Sequence, residues 1–411
     1  MSTLERTSGD VDARIDRIPP IVDVDAHLVE PPDIWSARLP QRYREVGPRV
    51  ELLPPGTPIL AGGGYIEAPG TEGDPVAWWH YEDHLYSVKR LIAAAGYPAD
   101  EIDFRGITFD QMRPGCWQQQ ARLDDMTLNG VEAQLCYPNY PRFAGQIFLR
   151  GHDKELAGLC VEAYNDWMVD EWCAGTGGRL IPLCLVPLWD VELAAAEVRR
   201  NAARGVRAVA FSEVPAYLGL PSIHSGYWEP FFAACAETAT VVCMHIGSGT
   251  KTPHTSDDSP DAVDATIIFG NSIASMADFM LSGVLHRHPD LKLMYAECQI
   301  GWIPYLLERV DDVWETHRGW SDSKANCPEL PSTYYHRQIF SCFFKDAVGV
   351  RLLDEVGHDN VMFETDYPHQ DGTFPHSRRA AAEQFGHLDD ETIHKLARGN
   401  AIALLGLDLA P

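Results

Sequence analysis

The sequence predicts a closed (β/α)8 TIM barrel, on three observations. Eight short β-branched or apolar runs punctuate the 411-residue chain, and the segments between them carry apolar residues at helical spacing. No Gly-rich loop follows the first run, as the competing doubly wound open sheet would require. The whole chain, 1–411, is therefore read as one barrel domain carrying an insertion.

The eight runs are residues 21–25, 133–137, 180–186, 208–212, 240–245, 292–297, 338–343 and 361–366. Between them, 191–204 has apolar residues at 191, 193, 194, 195 and 198, and 227–237 has a similar period, as surface helices do. Residues 48–115 fit no strand–helix unit. They are rich in Gly, Pro and aromatics, including Trp78, Trp79 and Tyr81, and fall between the first two strands, so they read as a lid over the barrel mouth. A second long connection, 247–269, is rich in Ser, Thr, Asp and Gly and follows the fifth run.

Composition narrows the partners. Hydrophobic residues make up 45% and charged residues 22%, the balance of a packed globular chain. The 33 Lys and Arg against 59 Asp and Glu give a formal net charge of -26, which repels phosphate backbones and anionic lipid, so neither nucleic acid nor membrane is expected as a partner. Ten cysteines without CxxC spacing read as reduced core thiols. With residues 1–16 polar and no long apolar stretch, a cytoplasmic location is expected, in a homo-oligomer.

Barrel enzymes carry their chemistry at the C-terminal strand ends. The first strand ends in Asp25-Ala26-His27, with Glu30 three residues on; period-two alternation sends Asp25 and His27 to one side. The fifth run closes on His245, the sixth on Glu297 and the eighth on Asp366, followed by His369. Glu213 follows the fourth run, where it either caps the next helix or faces the site. Glu297 follows an apolar run, and a carboxylate buried there needs a partner or a metal. Asp25, His27, Glu30, Glu213, His245, Glu297 and Asp366 are thus the candidate metal ligands, and Asp366, Glu297 and His369 the candidate catalytic residues. Whether Glu30, Glu213 and His369 bind the metal or support its ligands is open.

These motifs, with the runs 291–309 (LKLMYAECQIGWIPYLLER) and 361–369 (VMFETDYPH), resemble the amidohydrolase superfamily, and within it the branch of aminocarboxymuconate-semialdehyde decarboxylase. The resemblance implies a barrel with metal at the strand ends, held by His27, His245 and Asp366. Two positions depart from that branch: Asp25 stands where its decarboxylases have His or Glu, and Glu297 where they have a catalytic histidine.

Asp25, Asp366, Glu213 and Glu297 give a formal ligand charge of -4, which one divalent ion leaves in excess and two neutralise. A carboxylate-rich barrel site of this kind, with the aromatic insertion and Ala296-Glu297-Cys298, resembles the TIM-barrel nonheme diiron monooxygenases typified by the diterpenoid hydroxylase of platensimycin and platencin biosynthesis. The function expected is therefore a diiron monooxygenase of secondary (terpenoid) metabolism. Two Fe ions and dioxygen hydroxylate an apolar, CoA-linked substrate with the help of an electron donor; Zn or Mn is the alternative metal. The alternative activity is metal-dependent hydrolysis or nonoxidative decarboxylation, with Asp366 handling the proton. A catalytically dead scaffold is the non-enzymatic reading, and the ionisable character of every candidate position argues against it.

Other signals have structural readings. His80 and His84 in HYEDH lack the Glu of a zincin motif and read as lid structure. Gly62-Gly63-Gly64, without a following Lys-Ser/Thr, reads as a turn. Trp302 and Tyr305 read as core packing.

Overall fold

The computed structural model describes residues 8–57, 59–61, 64–256, 258–321 and 323–409. All eight expected runs are strands: β1 (Ile21–His27), β2 (Val131–Tyr137), β3 (Leu180–Cys184), β4 (Ala208–Phe211), β5 (Val241–His245), β6 (Leu293–Ala296), β7 (Ile339–Phe343) and β8 (Val361–Phe363). Each pairs in parallel with its successor, giving one eight-stranded sheet in chain order. The ends then approach each other: Ala26 bridges Tyr367 in parallel, Asp366 N donates to Asp25 O at 2.9 Å and His27 N to Tyr367 O at 2.6 Å. First and last strands are neighbours, as a barrel demands and an open doubly wound sheet forbids.

Asp23 straps this seam. Buried in the middle of β1, it accepts from Thr365 N at 2.9 Å, from Gln134 Nε2 at 3.0 Å and from Asp25 N at 3.1 Å, and also from the Thr365 hydroxyl. One carboxylate thus ties β1 to β2 and to the residues after β8. Such a group is tolerable in the interior only because its oxygens are occupied.

The helices alternate with the strands: α1 (Gln119–Asn129), α2 (Lys154–Trp167), α3 (Val191–Ala202), α4 (Glu229–Glu237), α5 (Gly270–Leu281), α6 (Ile303–Thr316), α7 (Ala347–Arg351) and α8 (Ser377–Phe385). Local chemistry fixes their ends. Asp153 and Asp190 cap α2 and α3 by accepting two backbone N–H groups each. Gly130, at φ +71°, turns the chain out of α1 into β2. With strands covered by helices on one side and packed on the other, the runs are near-continuously apolar rather than alternating.

Residues 48–115 are more regular than expected. Strands Arg49–Leu53, Val76–Tyr81 and His84–Ser87 form an antiparallel sheet, and Ile59–Ala61 pairs with Gly64–Ile66. The segment contacts loops beyond three barrel strands. Ala94 N and Ala95 N donate to Pro368 O, Trp79 meets Trp35 edge-on with ring centroids 5.2 Å apart, and Trp79 stacks on Tyr140 with ring centroids 4.5 Å apart. The 247–269 connection contains a short helix, Asp261–Ile267.

The minor expectations divide. His80 and His84 lie on adjacent strands of the inserted sheet, and His80 Nδ1 is 2.9 Å from Glu51 Oε1. All ten cysteines are free, and nine are buried. Trp302 is half-buried against the core and donates to Cys298 O at 2.8 Å. Tyr305, expected in the core, is 74% exposed, because it falls on the outer face of α6, opposite Leu306, Leu307 and Val310. Gly62 and Gly63 lie outside the described residues.

Candidate metal centre

The strand ends bring their polar side chains to one point. Asp25 and His27 leave β1 on the same side, and His245 ends β5. Glu297 follows β6 at φ +55° and Asp366 follows β8 at φ +49°. Two non-glycine residues in the left-handed region, both at the ends of barrel strands, mark backbone bent to aim a side chain. Asp25, His27 and His245 offer donor atoms within 4.8 Å of one another; so do Asp25, Glu297 and Asp366, and so do His27, Asp366 and His369.

Distances make the convergence concrete. His27 Nε2 lies 3.1 Å from His245 Nε2, 3.3 Å from Asp25 Oδ1 and 3.6 Å from Asp366 Oδ1. His245 Nε2 lies 3.5 Å from Asp25 Oδ2 and 3.4 Å from Glu297 Oε2. The ring of His245 is oriented from behind: Nδ1 donates to its neighbour's carbonyl, Ile246 O, at 2.7 Å, which leaves the Nε2 lone pair facing the cluster. His369 is fixed similarly. Asn139 Nδ2 donates to Leu28 O at 2.8 Å, so Asn139 Oδ1 turns to His369 Nε2 at 2.9 Å. The Nδ1 lone pair of His369 then points at Asp366 Oδ1, 3.2 Å away. Its ring stacks on His27 at 3.8 Å between centroids, while Phe143 stacks on His245 at 4.0 Å.

Lone pairs of two imidazoles and oxygens of three carboxylates therefore converge with few donors among them. Both oxygens of Asp25 and both of Asp366 are buried without a hydrogen bond, an arrangement that is costly unless a cation occupies its centre. The electrostatics say the same. Burial opposes charge on Asp25, but His245 and His27 overcome it and hold this carboxyl well below its usual range. Burial also opposes charge on His245, yet Asp25 and Glu297 draw its pKa up to about 9. For Asp366, burial and then the carboxylates of Glu297 and Asp25 push the pKa far up. Hard oxygen donors mixed with imidazole suit a divalent ion such as Mn, Fe or Zn.

Of the sequence candidates, Asp25, His27, His245, Glu297, Asp366 and His369 come together, Glu30 is drawn elsewhere, and Glu213 lies at the margin, one oxygen bonded and the other buried without a partner. Glu30 is fully buried, and its two oxygens accept from Asn139 N and Tyr140 N at 2.9 Å each. It braces the loop after β2. Glu213 Oε1 accepts from Ser272 Oγ at 2.6 Å, and Glu213 belongs to none of the donor groups within 4.8 Å among the described residues. Sequence reading missed Asn139 and Phe143, which carry no metal-binding chemistry of their own. It also left Glu364 unassigned, although this buried carboxylate accepts from Glu297 N at 3.0 Å. An acidic residue two before Asp366, directly after β8, was the available signal.

The amidohydrolase family model matches residues 22–407. A γ-resorcylate decarboxylase from Rhodococcus jostii is 27% identical over 350 residues, covering 80% of this chain and 98% of its own. Among solved structures, an amidohydrolase from Mycobacterium avium subsp. paratuberculosis shares the fold with a TM-score of 0.68 and 21% identity, over 94% of this chain and 99% of its own. The 5-carboxyvanillate decarboxylase from Novosphingobium aromaticivorans, complexed with manganese and a nitrobenzoic acid, has a TM-score of 0.56 and 19% identity over 70% and 79% of the two chains.

The curated relatives overturn the expectation of a diiron monooxygenase using dioxygen, an electron donor and a CoA-linked terpenoid substrate, since they are γ-resorcylate decarboxylases. The charge argument behind that expectation fails for a visible reason. With Glu213 bound to Ser272 and Glu30 to backbone amides, the converging carboxylates are Asp25, Glu297 and Asp366. Without Glu213 the formal charge of the converging carboxylates is -3 rather than -4, so the exact neutralisation by two divalent ions on which that expectation rested is lost. A matched family model spanning the barrel from β1 to the last helices means that the chain belongs to the amidohydrolase family.

Proposed function

We propose that this protein is a metal-dependent, nonoxidative decarboxylase of hydroxylated aromatic acids, built as one barrel domain with residues 48–115 as a lid. The observation that carries the reading is the convergence of the His27 and His245 Nε2 atoms with the unpartnered oxygens of Asp25 and Asp366, in a family whose relatives include γ-resorcylate decarboxylase. Asp25, His27, His245 and Asp366 would hold the ion, and manganese fits this donor set. A divalent ion supplies Lewis-acid polarisation of substrate oxygens at the strand ends.

The chain's own residues account for the rest. Decarboxylation breaks the bond between ring and carboxylate, leaves the electron pair on the ring carbon, releases carbon dioxide and requires a proton at that carbon. Glu297 is the residue suited to deliver it: burial favours its protonated form, its Oε2 lies at the cluster, and its backbone is held by Glu364. Glu297 thus takes the place that histidine has in the decarboxylases this sequence resembles. His369 is fixed by Asn139 and stacked on His27, and its Nδ1 braces Asp366. Phe143, against His245, forms an apolar wall suited to an aromatic ring.

The test is metal analysis of the purified protein followed by assay of carbon dioxide release from 2,6-dihydroxybenzoate and 5-carboxyvanillate, in air and under nitrogen. At least one divalent ion per chain, with release that is independent of oxygen and abolished by chelator, supports the reading. Metal-replete protein that releases no carbon dioxide from either acid would overturn it.

A further inference from the structure

The catalytic cluster leaves one other group of metal-binding side chains unused. Asp83 and His84 lie at the tight turn joining the inserted strands Val76–Tyr81 and His84–Ser87. His152 lies on the barrel side, immediately before Asp153, the N-cap of α2. The turn is pressed onto this point by its own preceding residue. Glu82, at φ +50°, accepts from His152 N at 2.7 Å and from Asp153 N at 3.0 Å. Backbone and side-chain contacts therefore fix the relative position of Asp83, His84 and His152 before any ligand arrives.

The three side chains converge on one point. Asp83 Oδ1 lies 3.4 Å from His152 Nε2 and 3.7 Å from His84 Nε2. The two imidazoles stack at 23° with centroids 6.2 Å apart, and the three donor atoms all lie within 4.8 Å of one another. Donors bound to tetrahedral zinc at about 2.0–2.1 Å stand about 3.3 Å from each other. Two of the three separations are already close to that value. The third closes by rotation of half-exposed and exposed imidazoles, at small cost. Without a cation, the arrangement gains little, because exposed ion pairs with histidine contribute almost nothing to stability.

We propose that Asp83, His84 and His152 form a second metal site, taking Zn2+ or a similar borderline divalent transition ion, that fastens the inserted sheet to the start of α2. Two neutral imidazoles and one carboxylate are a donor set of the zinc class, and the fourth position is open to water. The site is distinct from the strand-end cluster in its elements, its exposure and its histidines. Its consequence is mechanical: the ion ties a segment that contacts the loops after β1, β2 and β8 to the barrel wall.

The experiment is equilibrium dialysis of the metal-replete protein against Zn2+, comparing wild type with the His84→Gln/His152→Gln double variant, with thermal unfolding followed in parallel. The expected result is one zinc ion more per chain in wild type than in the variant. Added Zn2+ should also raise the unfolding temperature of wild type but not of the variant, since an ion bound only to the folded chain stabilises it by mass action. Both histidines are outside the strand-end cluster, so active-site metal content and far-UV circular dichroism should match in the two proteins. Equal zinc stoichiometry and equal zinc-induced stabilisation in wild type and variant would overturn the proposal.

Discussion

Arg122 donates to the carbonyl of His27 at 2.6 Å, from beneath the proposed metal site. The same guanidinium donates to Gly115 O at 2.7 Å and lies 4.3 Å above the ring centre of Tyr367. It is fully buried. One cation thus joins the end of β1, the exit of the insertion and the turn after β8, where Asp366 is aimed.

Replacing Arg122 with Met should therefore cost more than a packing change of that size. It leaves the buried carbonyls of His27 and Gly115 without donors, at about 1–3 kcal/mol each. The expected loss is about 3 kcal/mol in urea unfolding, with weaker retention of the active-site metal. A loss below about 1 kcal/mol would show that water or a neighbour satisfies both carbonyls.

Asn139 is expected to act on the metal site through His369. Its carboxamide donates to Leu28 O and accepts from His369 Nε2, which sets the tautomer that faces Asp366. Groups that orient metal-site histidines typically account for 10–100-fold in affinity or activity. Asn139→Ala should lower metal affinity or turnover by that factor with little change in unfolding temperature. Asn139→Asp, which keeps an acceptor toward His369, should recover part of it. Equal effects of the two substitutions on a stability assay alone would mean that Asn139 serves only the loop.

The barrel was legible because each strand is a short apolar run set off by segments of a different period, and covering both faces of a parallel sheet leaves little room for another pattern. Asp25, His27, His245 and Asp366 were legible for a related reason: a charged or imidazole group ending an apolar run needs a partner. Glu213 shows the limit of that argument. Its partner is Ser272 on α5, a hydroxyl 59 residues away that no pattern near Glu213 announces. Glu30 is similar, since backbone amides of Asn139 and Tyr140 are present in any sequence and leave no compositional trace. The inserted sheet was hidden because its strands are short, Gly- and Pro-flanked and stabilised by contacts with distant loops. The diiron inference failed at one step, the assumption that every carboxylate near a strand end contributes its charge to the same centre.

Glu213 also makes a pH prediction. It is fully buried, and burial, only partly offset by the Ser272 hydroxyl, raises its pKa to about 7. A carboxyl whose folded pKa lies above its unfolded value favours folding in the protonated form. The stability it contributes is present below the unfolded value, about 4.5, and is lost as pH rises through about 7. Each pKa unit corresponds to about 1.4 kcal/mol, so the loss is about 3 kcal/mol across that window. In metal-free protein, urea midpoints of wild type should fall relative to Glu213→Gln between pH 5 and pH 8, and the difference should level off above it. Parallel pH profiles would show that Glu213 keeps an ordinary carboxylate pKa.

Glu297 separates ligand from proton donor. Its side chain reaches His245 Nε2 at 3.4 Å and groups with Asp25 and Asp366, so geometry alone permits either role. Charge and chemistry distinguish them. A ligand contributes a negative oxygen to the ion, whereas an acid must hold a proton at the moment the ring carbon needs one. Glu297→Gln retains shape and hydrogen bonding and removes only the transferable proton. If Glu297 is the acid, the variant keeps its metal and the affinity for substrate but loses turnover by about 10²–10⁴-fold, and Glu297→His, which restores a titrating group at this strand end, recovers part of the rate. If it is a ligand, metal content falls with the rate and neither substitution leaves a metal-replete, inactive protein. Metal analysis of the Gln variant beside its kcat and KM therefore decides the role, and loss of metal in that variant would sink the assignment of Glu297 as the proton donor.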